Sequence, residues 1–127
     1  MDTPALTFKI ADNVRTEKVH FKNRFGIELT GDMYLPDNLA DGEKRAAIAV
    51  CGPFGAVKEQ ASGYWANRLA SEGYITLAFD PSFTGESGGE PRYVSSPDIN
   101  TEDFSAAVDY LSSRHDVDKE RIGIIGI

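Results

Sequence analysis

Three places in this 127-residue sequence combine small residues with the end of a short apolar run, and each could carry chemistry. The last is Gly-Ile-Ile-Gly-Ile at the chain end, where Gly126 and Ile127 could open a Gly-x-nucleophile-x-Gly turn. Glycine suits so tight a turn because a Cβ there would collide with neighbouring backbone. The nucleophile would then be the residue directly after Ile127. Taken alone, Gly123 and Gly126 are explained equally well as small residues in a packed strand.

The first apolar run, residues 46–51, ends in a Gly-Pro-Phe-Gly turn that could stabilise a developing oxyanion. Such a site needs an unpaired backbone N–H that points at the reacting oxygen. Pro53 has no N–H, so the predicted donor is Phe54, followed by Gly55. The alternative is a plain connecting loop with a rigid turn. Its position directly after a buried strand favours the oxyanion interpretation.

The second apolar run, residues 74–79, is followed by Asp80 and a loop rich in glycine and proline. The loop lacks the glycine spacing of a phosphate site, and Glu86 and Glu90 would repel phosphate. Asp80 could act as a base or a ligand. Because an aspartate in this position more often accepts hydrogen bonds from loop N–H groups, we predict a structural role.

The cysteine and the histidines are predicted to have no catalytic role. Cys51 lies in an apolar run without a glycine two positions earlier, so it is predicted to be a buried packing thiol. One cysteine allows neither an intrachain disulfide nor a cysteine-based zinc site. His20 and His115 have no nucleophile or acid near them in sequence and are predicted to lie at the surface. No metal or cofactor site is predicted.

An antiparallel hairpin is predicted near the start of the chain. Its first strand covers residues 18–23, and Phe25-Gly26 forms the turn. In the second strand apolar and polar residues alternate, as in a half-buried strand with one solvated face. The apolar positions of this alternation are Ile27, Leu29, Met33 and Leu35.

The three apolar runs lack such alternation, which is typical of strands buried on both faces of a parallel sheet. Helical spacing between them predicts a helix over residues 61–72, capped by Gly73, and another over residues 101–113. We therefore expect an α/β domain in which an antiparallel hairpin precedes a βαβαβ unit of a mostly parallel sheet. The runs cover residues 46–51, 74–79 and 122–127.

Charge and hydropathy exclude several kinds of partner. The formal net charge is −7, and such a chain repels nucleic acid and anionic lipid, so neither is a predicted partner. The charged N-terminus lacks the apolar segment of a secretory signal. No apolar run approaches the roughly 18 residues that span a bilayer. Together with the single cysteine, these features predict a cytoplasmic protein.

Several stretches together resemble bacterial dienelactone-hydrolase-related α/β-hydrolases, over nearly the whole chain from about Glu17 onward. The most specific are residues 57–60, Val-Lys-Glu-Gln, and residues 80–90, the loop after the second run. The other parts are Gly-Asp-Met-Tyr-Leu-Pro at residues 31–36, Gly-Pro-Phe-Gly-Ala at residues 52–56, and Asp118 together with Arg-Ile-Gly-Ile-Ile-Gly at residues 121–126.

The resemblance implies an eight-stranded, mostly parallel sheet and a nucleophile–His–acid triad that acts on an ester, thioester or related acyl bond. The nucleophile would be Ser or Cys, and all three triad positions would lie beyond Ile127. Of the family's functional positions, only the oxyanion donor Phe54 maps onto this chain. Gly52 stands where many hydrolases have the His of a His-Gly motif.

On this interpretation residues 1–16 are an N-terminal extension, and residues 17–127 are the N-terminal portion of one α/β-hydrolase domain. A C-terminal segment of the same domain is the expected partner, the substrate is a small ester-like molecule, and this chain alone is expected to be inactive. A homo-oligomer is compatible with the sequence. Two alternatives stay open: a non-catalytic doubly wound α/β protein that binds a small ligand at the strand ends, and an inactive structural fragment.

Overall fold

A mixed five-stranded sheet with a helix on each face makes up the described part of the chain. The computed structural model describes residues 10–39, 42–51, 61–80, 87–88 and 97–126. The sheet order is β1-β2-β4-β3-β5, in which β1 and β4 run antiparallel to β2, and β4 and β5 run parallel to β3. The elements are β1 (Val14–Lys22), β2 (Glu28–Pro36), β3 (Arg45–Cys51), α1 (Ala61–Ser71), β4 (Ile75–Phe79), α2 (Pro97–Ser113) and β5 (Val117–Gly126).

The predicted order of a hairpin followed by βαβαβ is confirmed, while three elements begin earlier than predicted. β1 starts at Val14, which is buried and pairs with Pro36 at the far end of β2. α2 starts at Pro97, and proline fits the first turn of a helix because it needs no N–H partner there. β5 starts at Val117, so its polar first half belongs to the strand although it lacks an apolar pattern.

Two buried clusters lie on opposite faces of the sheet. On one face α1 places Ala66 and Ala70 against Tyr34 of β2. On the other face α2 places Ala107 and Leu111 over the remaining strand side chains. The small residues on α1 allow the helix to approach the sheet closely. None of the helices in the described ranges is long and apolar enough to cross a membrane.

The prediction that β2 has one solvated face is wrong. The polar positions of the predicted alternation are Glu28, Thr30 and Asp32. Of these only Glu28 is exposed, whereas Asp32 is partly buried and Thr30 is buried. β2 lies between β1 and β4, and α1 packs against the face that carries Tyr34, which is also buried. This face of β2 is therefore largely covered.

The last apolar run is also less buried than predicted. Ile124 of β5 is 56% exposed, and Ile122 and Ile125 are only partly buried. Within the described residues β5 pairs with β3 alone and forms one edge of the sheet. Ile122 and Ile125 pack against the two buried clusters, whereas no described residue buries Ile124.

A buried hydrogen bond between Asn23 and Asp103 joins the hairpin turn to α2. Asn23 donates from Nδ2 to Oδ1 of Asp103 at 3.0 Å, and its own Oδ1 accepts the N–H groups of Phe25 and Ile27 at 2.9 and 3.1 Å. Gly26 completes this turn with φ of +81°, a conformation that favours glycine. The predicted turn at Phe25-Gly26 is confirmed, and one asparagine both closes it and joins it to the helix.

An ion pair fastens the turn between α2 and β5. Arg114 donates to both carboxylate oxygens of Asp116, at 2.9 and 3.0 Å, and to Glu17 of β1 at 3.0 Å. Burial favours a raised pKa for Asp116, but the hydrogen bonds and the positive charge of Arg114 outweigh it and lower that pKa. The Asp116 carbonyl also accepts the N–H of Arg45 at the start of β3.

Candidate active site

The three parallel strands end level with one another at one edge of the sheet, which we call the carboxyl edge. Cys51 of β3 lies opposite Gly126 of β5, and Val50 lies opposite Ala78 of β4. The carboxyl ends of these strands therefore lie side by side, with about 5 Å between neighbouring strands. Because ligands of open α/β sheets bind outside this edge, we take it as the candidate active site.

The predicted oxyanion residues Phe54 and Gly55 lie outside the described residues. The described chain reaches Cys51 before them and resumes at Ala61, the first residue of α1. What is described is therefore the frame of this loop, between the end of β3 and the start of α1. The assignment of Phe54 as a donor stays a prediction.

Cys51 is buried, as predicted. Its side chain lies in the cluster on the α2 face, together with Ala49 of the same strand and Phe79 of β4. A thiol in such apolar surroundings behaves as a small packing side chain. It is therefore not a candidate nucleophile, although it ends the strand that leads into the candidate site.

Asp80 is fully buried at the carboxyl edge, directly after β4. Its backbone N–H donates to the Thr30 carbonyl of β2 at 3.0 Å, and its carbonyl accepts the Ser87 hydroxyl at 2.6 Å. The backbone of Asp80 is thus part of the junction between β4 and β2, while the predicted structural role of its carboxylate stays a prediction. The role of its carboxylate in turnover stays a prediction.

Ser87 is a residue that sequence reasoning did not single out. It is 2% exposed, and its hydroxyl joins Asp80 to β2 by accepting the Thr30 N–H at 2.9 Å. The sequence offers one signal for Ser87, a small hydroxyl side chain next to Gly88 in a glycine-rich loop. Its partner Thr30 is 57 positions away in the sequence, so spacing alone could not reveal this contact.

Both histidines lie at the surface, as predicted. His20 is about half exposed, and its Nδ1 lies 3.1 Å from the Thr30 hydroxyl and 3.7 Å from Glu28. Both contacts involve one ring nitrogen, whereas a catalytic relay uses one nitrogen for the nucleophile and the other for the acid. His115 is exposed beside the start of β5, at the opposite edge. Among the described residues no group of three or more His, Cys, Asp or Glu side chains is placed to hold a metal.

An apolar groove of about 280 Å³ lies beside α2, over the uncovered part of β5. Phe104 and Val108 of α2 form one side, and Ile124 of β5 forms the floor. Ser105 and Asp109 complete the lining. The groove is therefore a predominantly apolar surface next to the end of the strand that leads to the predicted nucleophile.

Comparison with known sequences finds similar proteins, although no family model matches the chain. An uncharacterized protein of Pseudomonas aeruginosa, PA2218, is 60% identical over 121 residues, which are 95% of this chain and 32% of that protein. The thiohydrolase aneE of Aspergillus aculeatus is 34% identical over 110 residues, covering 87% of this chain and 33% of that protein. The chain thus spans about a third of the length of these curated relatives.

Solved structures show the same architecture. The crystal structure of PA2218 superimposes with a TM-score of 0.91 at 59% identity, covering 95% of this chain and 37% of that one. The α/β-hydrolase GrgF from a Penicillium species gives 0.79 at 22% identity, covering 89% and 37% of the two chains. The esterase Pf2001 of Pyrococcus furiosus gives 0.74 at 20% identity, covering 99% and 48%. The chain therefore has the fold of the N-terminal part of an α/β-hydrolase.

Proposed function

We propose that this chain is the N-terminal part of a hydrolase that cleaves an ester, thioester or related acyl bond. The observation that carries the proposal is the pairing of Cys51 with Gly126. It places the strand ends that precede Phe54 and Ile127 side by side. A backbone donor and a nucleophile delivered from neighbouring strand ends are the two parts that acyl transfer requires first.

The adjacent strand ends support the following catalytic assignments. The Phe54 N–H, with Gly55 next to it, stabilises the oxyanion that forms when a Ser or Cys directly after Ile127 attacks the acyl carbon. The His that activates this nucleophile and the acid that orients the His lie further along the chain. The known neighbours named as a thiohydrolase and as an esterase support a hydrolase, while the dienelactone-hydrolase-related assignment rests on the sequence resemblance.

The segment after Ile127 is the proposed partner that completes the domain. The connection from β4 to β5 crosses β3 with α2 on the face opposite α1. Connections from one parallel strand through a helix to the next are right-handed. A further connection from β5 to a strand beyond it would therefore place its helix on the α2 face of the sheet. The apolar groove formed by Phe104, Val108 and Ile124 lies on that face and provides a surface for this helix.

Phe54→Pro in the full-length protein tests the proposal, because it removes the backbone donor and nothing else polar. We expect kcat/KM for an activated ester to fall on the order of 10²–10³-fold. Phe54→Ala keeps the N–H and serves as the matched control, with far smaller loss. Equal activity in the proline variant and the alanine variant would refute the oxyanion assignment.

A small-ligand-binding protein without catalysis is the competing candidate. It predicts that a residue other than Ser or Cys follows Ile127 and that no ester or thioester is hydrolysed. Hydrolysis that depends on the residue after Ile127 would exclude it.

A further inference from the structure

The side of α1 that points away from the sheet carries an exposed aromatic pair. Tyr64 and Trp65 are 44% and 47% exposed, and their rings pack edge to face with centroids 5.5 Å apart. Ala66 and Ala70, which pack against the sheet, lie on the opposite side of the helix. Tyrosine, tryptophan and arginine are the residue types that most often dominate protein–protein contacts. An exposed pair of the first two therefore gives this side of α1 the composition of an interface.

Two opposite charges lie on the same side of α1. Arg68 and Glu72 are exposed, and at about 3.6 residues per turn they share an arc of about 100° of the helix with the two aromatic residues. We call this set, Tyr64, Trp65, Arg68 and Glu72, the outer face of α1. Arg68 and Glu72 form no ion pair with each other or with any other residue in the described ranges. Their charges are thus available to a partner.

The charges of the outer face are complementary to those of a second copy of the same face. When two α1 helices lie antiparallel about a two-fold axis level with Ala70, Arg68 of each copy is opposite Glu72 of the other. Trp65 of each copy then lies beside the end of the other helix, where Tyr74 is 41% exposed. The outer face is also neutral as a whole, whereas the chain carries a net charge of −7. Two copies therefore repel each other less at this face than elsewhere.

The exposed aromatic area suits a weak dimer. A buried aromatic side chain covers about 150–250 Å², so the exposed parts of Tyr64, Trp65 and Tyr74 amount to roughly 100 Å² each. Two copies supply about 600 Å² from these rings, to which the charged side chains add, and interfaces below about 1,200 Å² belong to weak and transient complexes.

We propose that the outer face of α1 is a docking surface for a second copy of this protein, which binds it antiparallel in a weak and reversible dimer. The aromatic rings supply the contact area, and the pairs of Arg68 with Glu72 set the register. The proposal goes beyond the proposed function and does not depend on it, because no residue of the outer face has a catalytic assignment.

Sedimentation velocity of the full-length protein, over a concentration series that spans the micromolar range, tests the proposal. The variants are Arg68→Glu, Glu72→Arg and the double variant that exchanges the two charges. Each single variant turns both symmetry-related attractions into repulsions, so we expect the association constant to fall by about tenfold. The double variant should restore the wild-type constant. Lys119→Glu, at an exposed position of β5, is the matched control for the change in net charge and should leave the constant unchanged.

The two single variants change the net charge in opposite directions, so overall repulsion cannot explain a weaker dimer in both. The exchanged residues are exposed, and each variant should therefore keep the wild-type Tm. A full-length protein that stays monomeric at every concentration would overturn the proposal. So would a dimer that neither single variant weakens, or one that the double variant fails to restore, because either result places the contact at another surface.

Discussion

Replacement of Asn23 by alanine is expected to destabilise the domain more than any exposed polar substitution. The change removes one donor from the buried Asp103 carboxylate and one acceptor shared by the N–H groups of Phe25 and Ile27. A hydrogen bond to a charged group contributes about 1.5–3 kcal/mol, and a neutral one about 0.5–1.5 kcal/mol. Because the turn N–H groups can partly recover water, we expect a loss of about 3 kcal/mol in the free energy of unfolding.

Urea denaturation of the full-length protein measures this loss at unchanged m-value. Asn38→Ala, at an exposed asparagine between β2 and β3, is the matched control and should stay within about 0.5 kcal/mol of wild type. Asn23→Asp adds a second test. It places a second carboxylate beside Asp103, and because the two negative charges repel each other, this variant should also be less stable than the wild type. A loss below about 1 kcal/mol for Asn23→Ala would refute the claim that this residue joins the hairpin to α2.

Three further variants test other parts of the structure. Gly31→Ala should lower the free energy of unfolding by about 1–3 kcal/mol. The added Cβ would lie 2.6 Å from the Leu77 side chain and 3.1 Å from the Ala78 carbonyl of β4. An unchanged free energy of unfolding would contradict the close approach of β2 to β4. The lowered pKa of Asp116 stabilises the fold above its unfolded pKa of about 4, and this contribution is lost as the pH falls through the folded pKa. Asp116→Asn should therefore be less stable at pH 7 and show a weaker decline in stability below pH 4, whereas parallel wild-type and variant curves would exclude the link to Arg114. Asp80→Asn should reduce stability more than the chemical step, so that the Tm falls clearly while kcat changes little. Abolished turnover at an unchanged Tm would assign Asp80 a catalytic role instead.

Element order and strand direction could be predicted because the apolar runs and the hydrophobic spacing are local properties of the sequence. The cap at Gly73 is an example: its φ of +108° fits the glycine that ends α1. Burial could not be predicted equally well, since it depends on neighbours distant in sequence. Thr30 was predicted to lie on a solvated face, yet β2 lies inside the sheet and Thr30 is buried. Ile124 was predicted to be buried, yet among the described residues β5 lies at an edge of the sheet and Ile124 is exposed.

The candidate site, too, could be predicted only in part from the sequence. The strand ends at Cys51 and Gly126 were predictable as places for loops, but their pairing was not, because it depends on the spatial strand order β4-β3-β5 and not on the order along the chain. The contacts of Ser87 with Asp80 and Thr30 were not predictable, because a buried serine has the same sequence signature as an exposed one. The same holds for Asn23 and Asp103, which are separated by 80 positions in the chain.

Covalent labelling of the nucleophile tests the central claim most directly. The full-length protein is treated with a fluorophosphonate and, separately, with iodoacetamide under native conditions, and the modified peptide is identified by mass spectrometry. The account predicts one modification on the residue directly after Ile127, at Ser with the first reagent or at Cys with the second, together with loss of ester hydrolysis. Inactivation with the modification at any other residue, or ester hydrolysis that persists after the residue following Ile127 is replaced by alanine, would contradict it.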